Sequence, residues 1–123
     1  MKKIICDLDS TICHTTDGDY ANSLPDKEVI RALAEYKQLG FDIIIFTSRN
    51  MRTHQGCIDT IKAKTLPLIL EWLQRHGVPY DEVLIGKPWC GTDGFYVDDR
   101  AVRPQEFTSL SYEEICNLIG HKP

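Results

Sequence analysis

The 123-residue chain predicts an α/β fold with a mostly parallel sheet, formed as a single domain over residues 1–123. Two observations predict it. Short apolar runs at 3–8, 41–46, 83–85 and 95–97 alternate with stretches whose apolar residues recur at helical spacing. Each run is also followed at once by chemically active side chains: Asp7 and Asp9, Thr47, Lys87, then Asp98 and Asp99. Open parallel sheets bind ligands at the carboxyl ends of their strands. These residues, far apart in sequence, are therefore expected to converge on one crevice.

The elements follow in order. Lys3 to Leu8 is apolar without alternation, as in a strand buried on both faces. Ser10 to Leu24 is a polar loop. Pro25 and Asp26 open a helix carrying Val29, Ile30, Leu33, Ala34 and Tyr36, and Gly40 is placed to end it in a left-handed conformation. Phe41 to Phe46 forms a second buried strand, closed by Thr47-Ser48-Arg49-Asn50. Met51 to Lys64 reads as polar and irregular, and Pro67 prevents one long helix there. A helix then runs from Pro67 through Ile69, Trp72 and Leu73 to Gly77. Val83 to Ile85 is a third strand ending at Gly86-Lys87-Pro88, and Phe95 to Val97 a fourth ending at Asp98-Asp99. Ser111 and Glu114 have capping-box spacing for a last helix to Ile119.

Composition narrows the function. The apolar runs fall far short of the ~20 residues that span a bilayer, so no membrane partner is expected. Asp7 and Asp9 interrupt the apolar stretch after Met1-Lys2-Lys3, which rules against a secretory signal. Five cysteines with no Cys-x-x-Cys read as reduced thiols in a cytoplasmic protein rather than a zinc site. A net charge of −4 disfavours nucleic acid. Setting aside Asp7, Asp9, Asp98 and Asp99, the remaining acids balance the bases. Excess negative charge gathered at one all-oxygen site invites a divalent cation, Mg²⁺ before zinc or copper.

Each residue has a plainer alternative. An Asp at a strand end caps the next turn, a Thr there forms a turn, and Cys6 fills the core. His14 and His54 are loop histidines that border the site or are merely exposed. Trp89 stacks on a sugar or covers the core. Arg49, Arg52, Lys62 and Lys64 against Asp59 form either a docking surface for a phosphorylated ligand or a solvated helix face.

Ile4-Ile5-Cys6-Asp7-Leu8-Asp9-Ser10-Thr11 resembles the first motif of the haloacid dehalogenase (HAD) superfamily, hydrophobic residues followed by Asp-x-Asp-x-Thr. Ile44-Ile45-Phe46-Thr47 is similar to its second motif, Gly86-Lys87-Pro88 to its third, and Phe95-Tyr96-Val97-Asp98-Asp99 to its fourth. The resemblance implies a three-layer Rossmann-like core and a phosphomonoesterase working through an aspartyl-phosphate. Asp7 would be the nucleophile and Asp9 the general acid and then base. Thr47 and Lys87 would hold the phosphoryl group. Mg²⁺ would be held by Asp7, the Asp9 carbonyl, Asp98 and Asp99, the last directly or through water. Thr11, Ser48, Arg49 and Asn50 are the expected substrate-binding positions.

The chain departs from the general pattern. Ten residues separate Lys87 from Asp98, too few for the usual intervening helix, and neither insertion point holds a sizeable cap. Its size and the Thr47-Ser48-Arg49-Asn50 sequence resemble the small HAD phosphatases of bacterial capsular-polysaccharide clusters. The expected substrate is a phosphorylated sugar or similar small metabolite. Alternatives are a phosphotransferase of the same fold and a non-catalytic module that binds phosphorylated ligands. A signalling receiver domain is disfavoured, because it carries its phospho-accepting Asp on a middle strand where this chain has Thr47. An open, capless site further suggests a homo-oligomer whose neighbouring subunit helps enclose it.

Overall fold

Three consecutive isoleucines, Ile43 to Ile45, form the centre of the middle strand, and all three are buried. A computed structural model of the chain describes residues 2–51, 53–87, 93, 96 and 100–122. It divides into two compact units, Met1–Trp89 and Cys90–Pro123.

The first unit contains β1 (Lys3–Asp7), β2 (Cys13–His14), β3 (Leu24–Pro25), α1 (Lys27–Gln38), β4 (Asp42–Thr47), α2 (Ile58–Lys64), α3 (Leu66–Arg75) and β5 (Glu82–Ile85). Strands β1, β4 and β5 form a parallel sheet in that order, a small Rossmann-like core without a cap domain among the described residues. The register aligns Asp7 with Phe46 and Thr47 with Ile85, so the three strands end nearly level. That common edge is the one at which the sequence predicts a crevice.

The sequence cues for α1 are realised. The Asp26 carboxylate accepts the Val29 N–H at 3.2 Å, capping the first turn, and Val29, Ala32, Leu33 and Tyr36 are buried. Gly40 leaves the helix at φ +94°, a conformation that side chains disfavour. Lys37 Nζ, near the end of α1, reaches both oxygens of Asp81 at 2.6 and 2.7 Å. Asp81 also accepts the Ile43 N–H at 2.7 Å, pinning the start of β4 to the chain entering β5. In α3 the Trp72 indole donates to the Ser23 carbonyl at 3.1 Å and ties down the loop after β1.

Three expectations are corrected. The stretch 51–64 is not irregular throughout, because Ile58–Lys64 is helical, with Ile61 fully buried. Asp59 in its first turn and Lys62 and Lys64 in its last complement the helix dipole. The loop 10–24 contains the short antiparallel pair β2–β3 and a 3₁₀ turn at Tyr20–Asn22. Strand β1 is not buried on both faces: Ile5 is 59% exposed, and among the described residues β1 pairs with β4 alone.

The second unit contains α4 (Pro104–Ser109) and α5 (Tyr112–Leu118). The predicted capping box at α5 is present, with Ser111 Oγ accepting the Glu114 N–H at 3.1 Å and Glu114 accepting the Ser111 N–H at 2.9 Å. Helix α4 is additional to the elements read from sequence. Pro104 starts it, where a missing N–H costs nothing, and Glu106 accepts the Arg103 N–H at 2.8 Å. The fourth predicted strand, 95–97, lies outside the described residues except for Tyr96. Among the described residues, no helix is long and apolar enough to cross a membrane.

Candidate active site

Asp7 is the last residue of β1, and its side chain lies on the same face of the sheet as its register partner Phe46. Lys87 follows β5 on the far side of β4. Its ammonium sits 4.5 Å from the centre of the Phe46 ring and 3.6 Å from Asp7 Oδ1. The lysine thus bridges the strand ends across an aromatic face. Gly86 makes this possible. Its φ of +114° turns the chain, and the Gly86 and Lys87 N–H groups both donate to the Thr47 carbonyl, at 3.2 and 3.1 Å. A Cβ at Gly86 would also lie 2.5 Å from Ile58 Cδ1.

The second oxygen of Asp7 accepts the Thr11 hydroxyl at 3.4 Å. Thr11 is brought back by a tight turn in which the Leu8 carbonyl accepts the N–H groups of Thr11, Ile12 and Cys13, with Ser10 at φ +65°. Burial pushes the Asp7 carboxyl above its ordinary pKa. Lys87 opposes that shift, and the Asp9 charge adds to it.

Asp9 has different surroundings. Its Oδ1 accepts Arg49 Nη2 at 2.7 Å and the Cys13 thiol at 3.6 Å. Its Oδ2 accepts the Thr47 hydroxyl at 3.2 Å and Arg49 Nε at 3.4 Å. The Thr47 hydroxyl in turn accepts the Arg49 N–H at 2.9 Å. Arg49 is buried, and its guanidinium stacks on the Tyr20 ring at 4.1 Å. The two carboxylates therefore face separate partners: Asp7 a lysine and a threonine hydroxyl, Asp9 an arginine fork.

The structure brings Asp7, Asp9, Thr11, Thr47, Arg49 and Lys87 together. The sequence gives Thr47 as a phosphoryl contact and Arg49 as a substrate contact. In the structure the Thr47 side chain is fully buried, and both side chains bond to Asp9. Asn50, at φ +62°, donates instead to the Thr65 hydroxyl at the junction of α2 and α3. Ser48 is half-buried, and its carbonyl accepts the Met51 N–H at 2.9 Å. His14 pairs with Asp26 at 3.4 Å. Cys6 is buried, its thiol pushed up to about 12 by desolvation. Asp98, Asp99, Arg52 and Trp89 lie outside the described residues. Sequence reasoning missed Cys13 and Tyr20. Cys13 is four residues beyond Asp9, which a tight turn would bring into reach, but Tyr20 gives no sequence signal of its ring contact.

The crystal structure of a Vibrio cholerae protein is similar to this chain with a TM-score of 0.95 and 58% identity, over 98% of each chain. The chain belongs to the family of that Vibrio cholerae protein. The likeness covers almost the whole length of both members. A chain of the Pnkp1/Rnl/Hen1 complex matches at a TM-score of 0.53 and 20% identity, over 80% of this chain and 30% of that one. That likeness is one of fold. No protein-family model matches the chain, and no curated protein is significantly similar to it.

Proposed function

We propose that this family member is a Mg²⁺-dependent phosphomonoesterase of HAD type, acting through an aspartyl-phosphate on a phosphorylated sugar or similar small metabolite. The observation that supports it best is the division of labour at the strand ends. Asp7 sits beside a cation 3.6 Å away, while Asp9, two residues on, is held by other groups. Lys87 beside Asp7 suits that carboxylate to meet an anionic phosphoryl group, and the donors around Asp9 suit it to be held in one orientation.

Lys87 attracts the anionic phosphoryl group and offsets its repulsion by Asp7. An Asp7 oxygen attacks phosphorus as the bond to the leaving oxygen breaks, and Asp9, entering this step as the carboxylic acid, transfers its proton to that oxygen. Asp9, now a carboxylate, takes a proton from water as the water oxygen attacks phosphorus, which frees phosphate and restores Asp7. The Thr11 hydroxyl steadies the Asp7 oxygen that it contacts.

The donor chemistry fits Mg²⁺. Asp7 is a partly buried carboxylate, a group that favours a cationic neighbour, and the proposed donors are all oxygen. Among the described residues no group of three or more ligating side chains occurs, and the proposed further ligands Asp98 and Asp99 lie outside them. Held by Asp7 and the Asp9 carbonyl, Mg²⁺ would neutralise charge on the transferring group.

Phosphate release from a panel of sugar phosphates and nucleotides, measured with Mg²⁺, tests the proposal. Release from at least one sugar phosphate is expected. No release from any member of the panel would overturn it.

A further inference from the structure

We infer that Arg49 is a positioning residue, whose guanidinium, stacked on Tyr20, fixes the Asp9 carboxylate in the orientation that serves the leaving group. The inference rests on the proposed role of Asp9 in proton transfer.

The geometry carries it. Arg49 meets Asp9 with two nitrogens, Nη2 at 2.7 Å and Nε at 3.4 Å, one on each carboxylate oxygen. A two-point contact fixes the plane of the carboxylate, which one bond cannot do. Arg49 is itself held on three sides. Tyr20 lies 4.1 Å from its guanidinium carbon, its main-chain N–H bonds Thr47 Oγ1 at 2.9 Å, and Nη2 lies 3.7 Å from the Cys13 sulfur. Its side chain is only 5% exposed, whereas that of Asp9 is 32% exposed. The fork is thus enclosed while the group that it orients remains open to a substrate.

A purely stabilising role explains this less well. A buried ion pair commonly adds little net stability over apolar packing, because both charges lose their water. It does fix geometry, and rigid support behind a functional group is what places a proton within reach of its acceptor. Lysine would keep the charge but supply neither the fork nor the flat stacking surface.

The test exploits leaving-group chemistry. An aryl phosphate such as p-nitrophenyl phosphate expels a stable anion and needs little help from a proton donor. An alkyl sugar phosphate must have its leaving oxygen protonated. Both are assayed with wild type, Arg49→Lys and Tyr20→Leu, each checked for folding by melting temperature. For Arg49→Lys, kcat/KM on the alkyl substrate, which reports the steps through departure of the leaving group, should fall on the order of 10²-fold. Its kcat/KM on the aryl substrate should move only a few-fold. Tyr20→Leu, which leaves the ion pair chemically intact, should show the same asymmetry to a smaller degree, and it keeps the test decisive if Arg49→Lys does not fold. Equal losses on the two substrates, or wild-type rates in both variants, would overturn the inference. The alkyl substrate is a sugar phosphate that wild type cleaves, and wild type that cleaves neither these substrates nor any member of the panel would instead overturn the phosphatase proposal beneath it.

Discussion

Four donors converge on the two carboxylate oxygens of Asp9, and they set what a substitution there does. Asp9→Asn keeps one acceptor oxygen but removes the charge facing a buried guanidinium. We expect it to fold with a lower melting temperature and to lose turnover by ~10²–10⁴-fold, the range for a missing acid–base group. Full activity would move the acid–base role to another residue. Asp7 and Asp9 were legible in the sequence because their spacing at a strand end is itself the signal. The Arg49 contact was not, because it joins positions 40 apart and depends on how β4 lies beside β1. A basic residue after Thr47 reads equally well as a substrate contact until its burial is known.

Between the elements, Gly86 and Asp81 are the joints that align the strand ends. Gly86→Ala would force a side chain into φ +114° and against Ile58, which should cost about 1–3 kcal/mol and lower activity by displacing Lys87. Denaturant unfolding and phosphate release would measure the two effects, and an unchanged midpoint would contradict the strain. Asp81 has a carboxyl held below the ordinary range, first by the Lys37 hydrogen bonds and then by the Ile43 N–H. Its native pKa lies below the unfolded value, so its contribution is complete above the unfolded pKa. That contribution is lost as pH falls through the native pKa. Asp81→Asn should therefore lower the melting temperature at neutral pH, with the difference closing in acid. A pH-independent difference would assign the effect to packing instead. Helix α1 was legible because Asp26, a regular apolar stripe and Gly40 agree with one another. Helix α2 was not, since Ile61 is its one buried residue and a single apolar anchor makes no pattern.

For the whole molecule, the chain carries a net charge of −4, and the proposed site gathers carboxylates that a small divalent ion would neutralise. Millimolar Mg²⁺ should raise the melting temperature and support turnover. Ca²⁺ should inhibit, because it takes more oxygen ligands at longer distances and would draw the nucleophilic oxygen of Asp7 into coordination. Equal rates with the two ions would argue against a nucleophile that is also a ligand. The site has no cap among the described residues, and we propose that a second copy helps to enclose it. Light scattering at micromolar concentration should give more than a monomer, and a strictly monomeric, efficient enzyme would contradict this. In the proposed mechanism Asp7 attacks phosphorus. The most direct test of that step is Mg²⁺-supported phosphate release by wild type and Asp7→Asn on the same sugar phosphate. Release by wild type and none by the folded variant is the predicted result, and steady-state turnover by Asp7→Asn would contradict it.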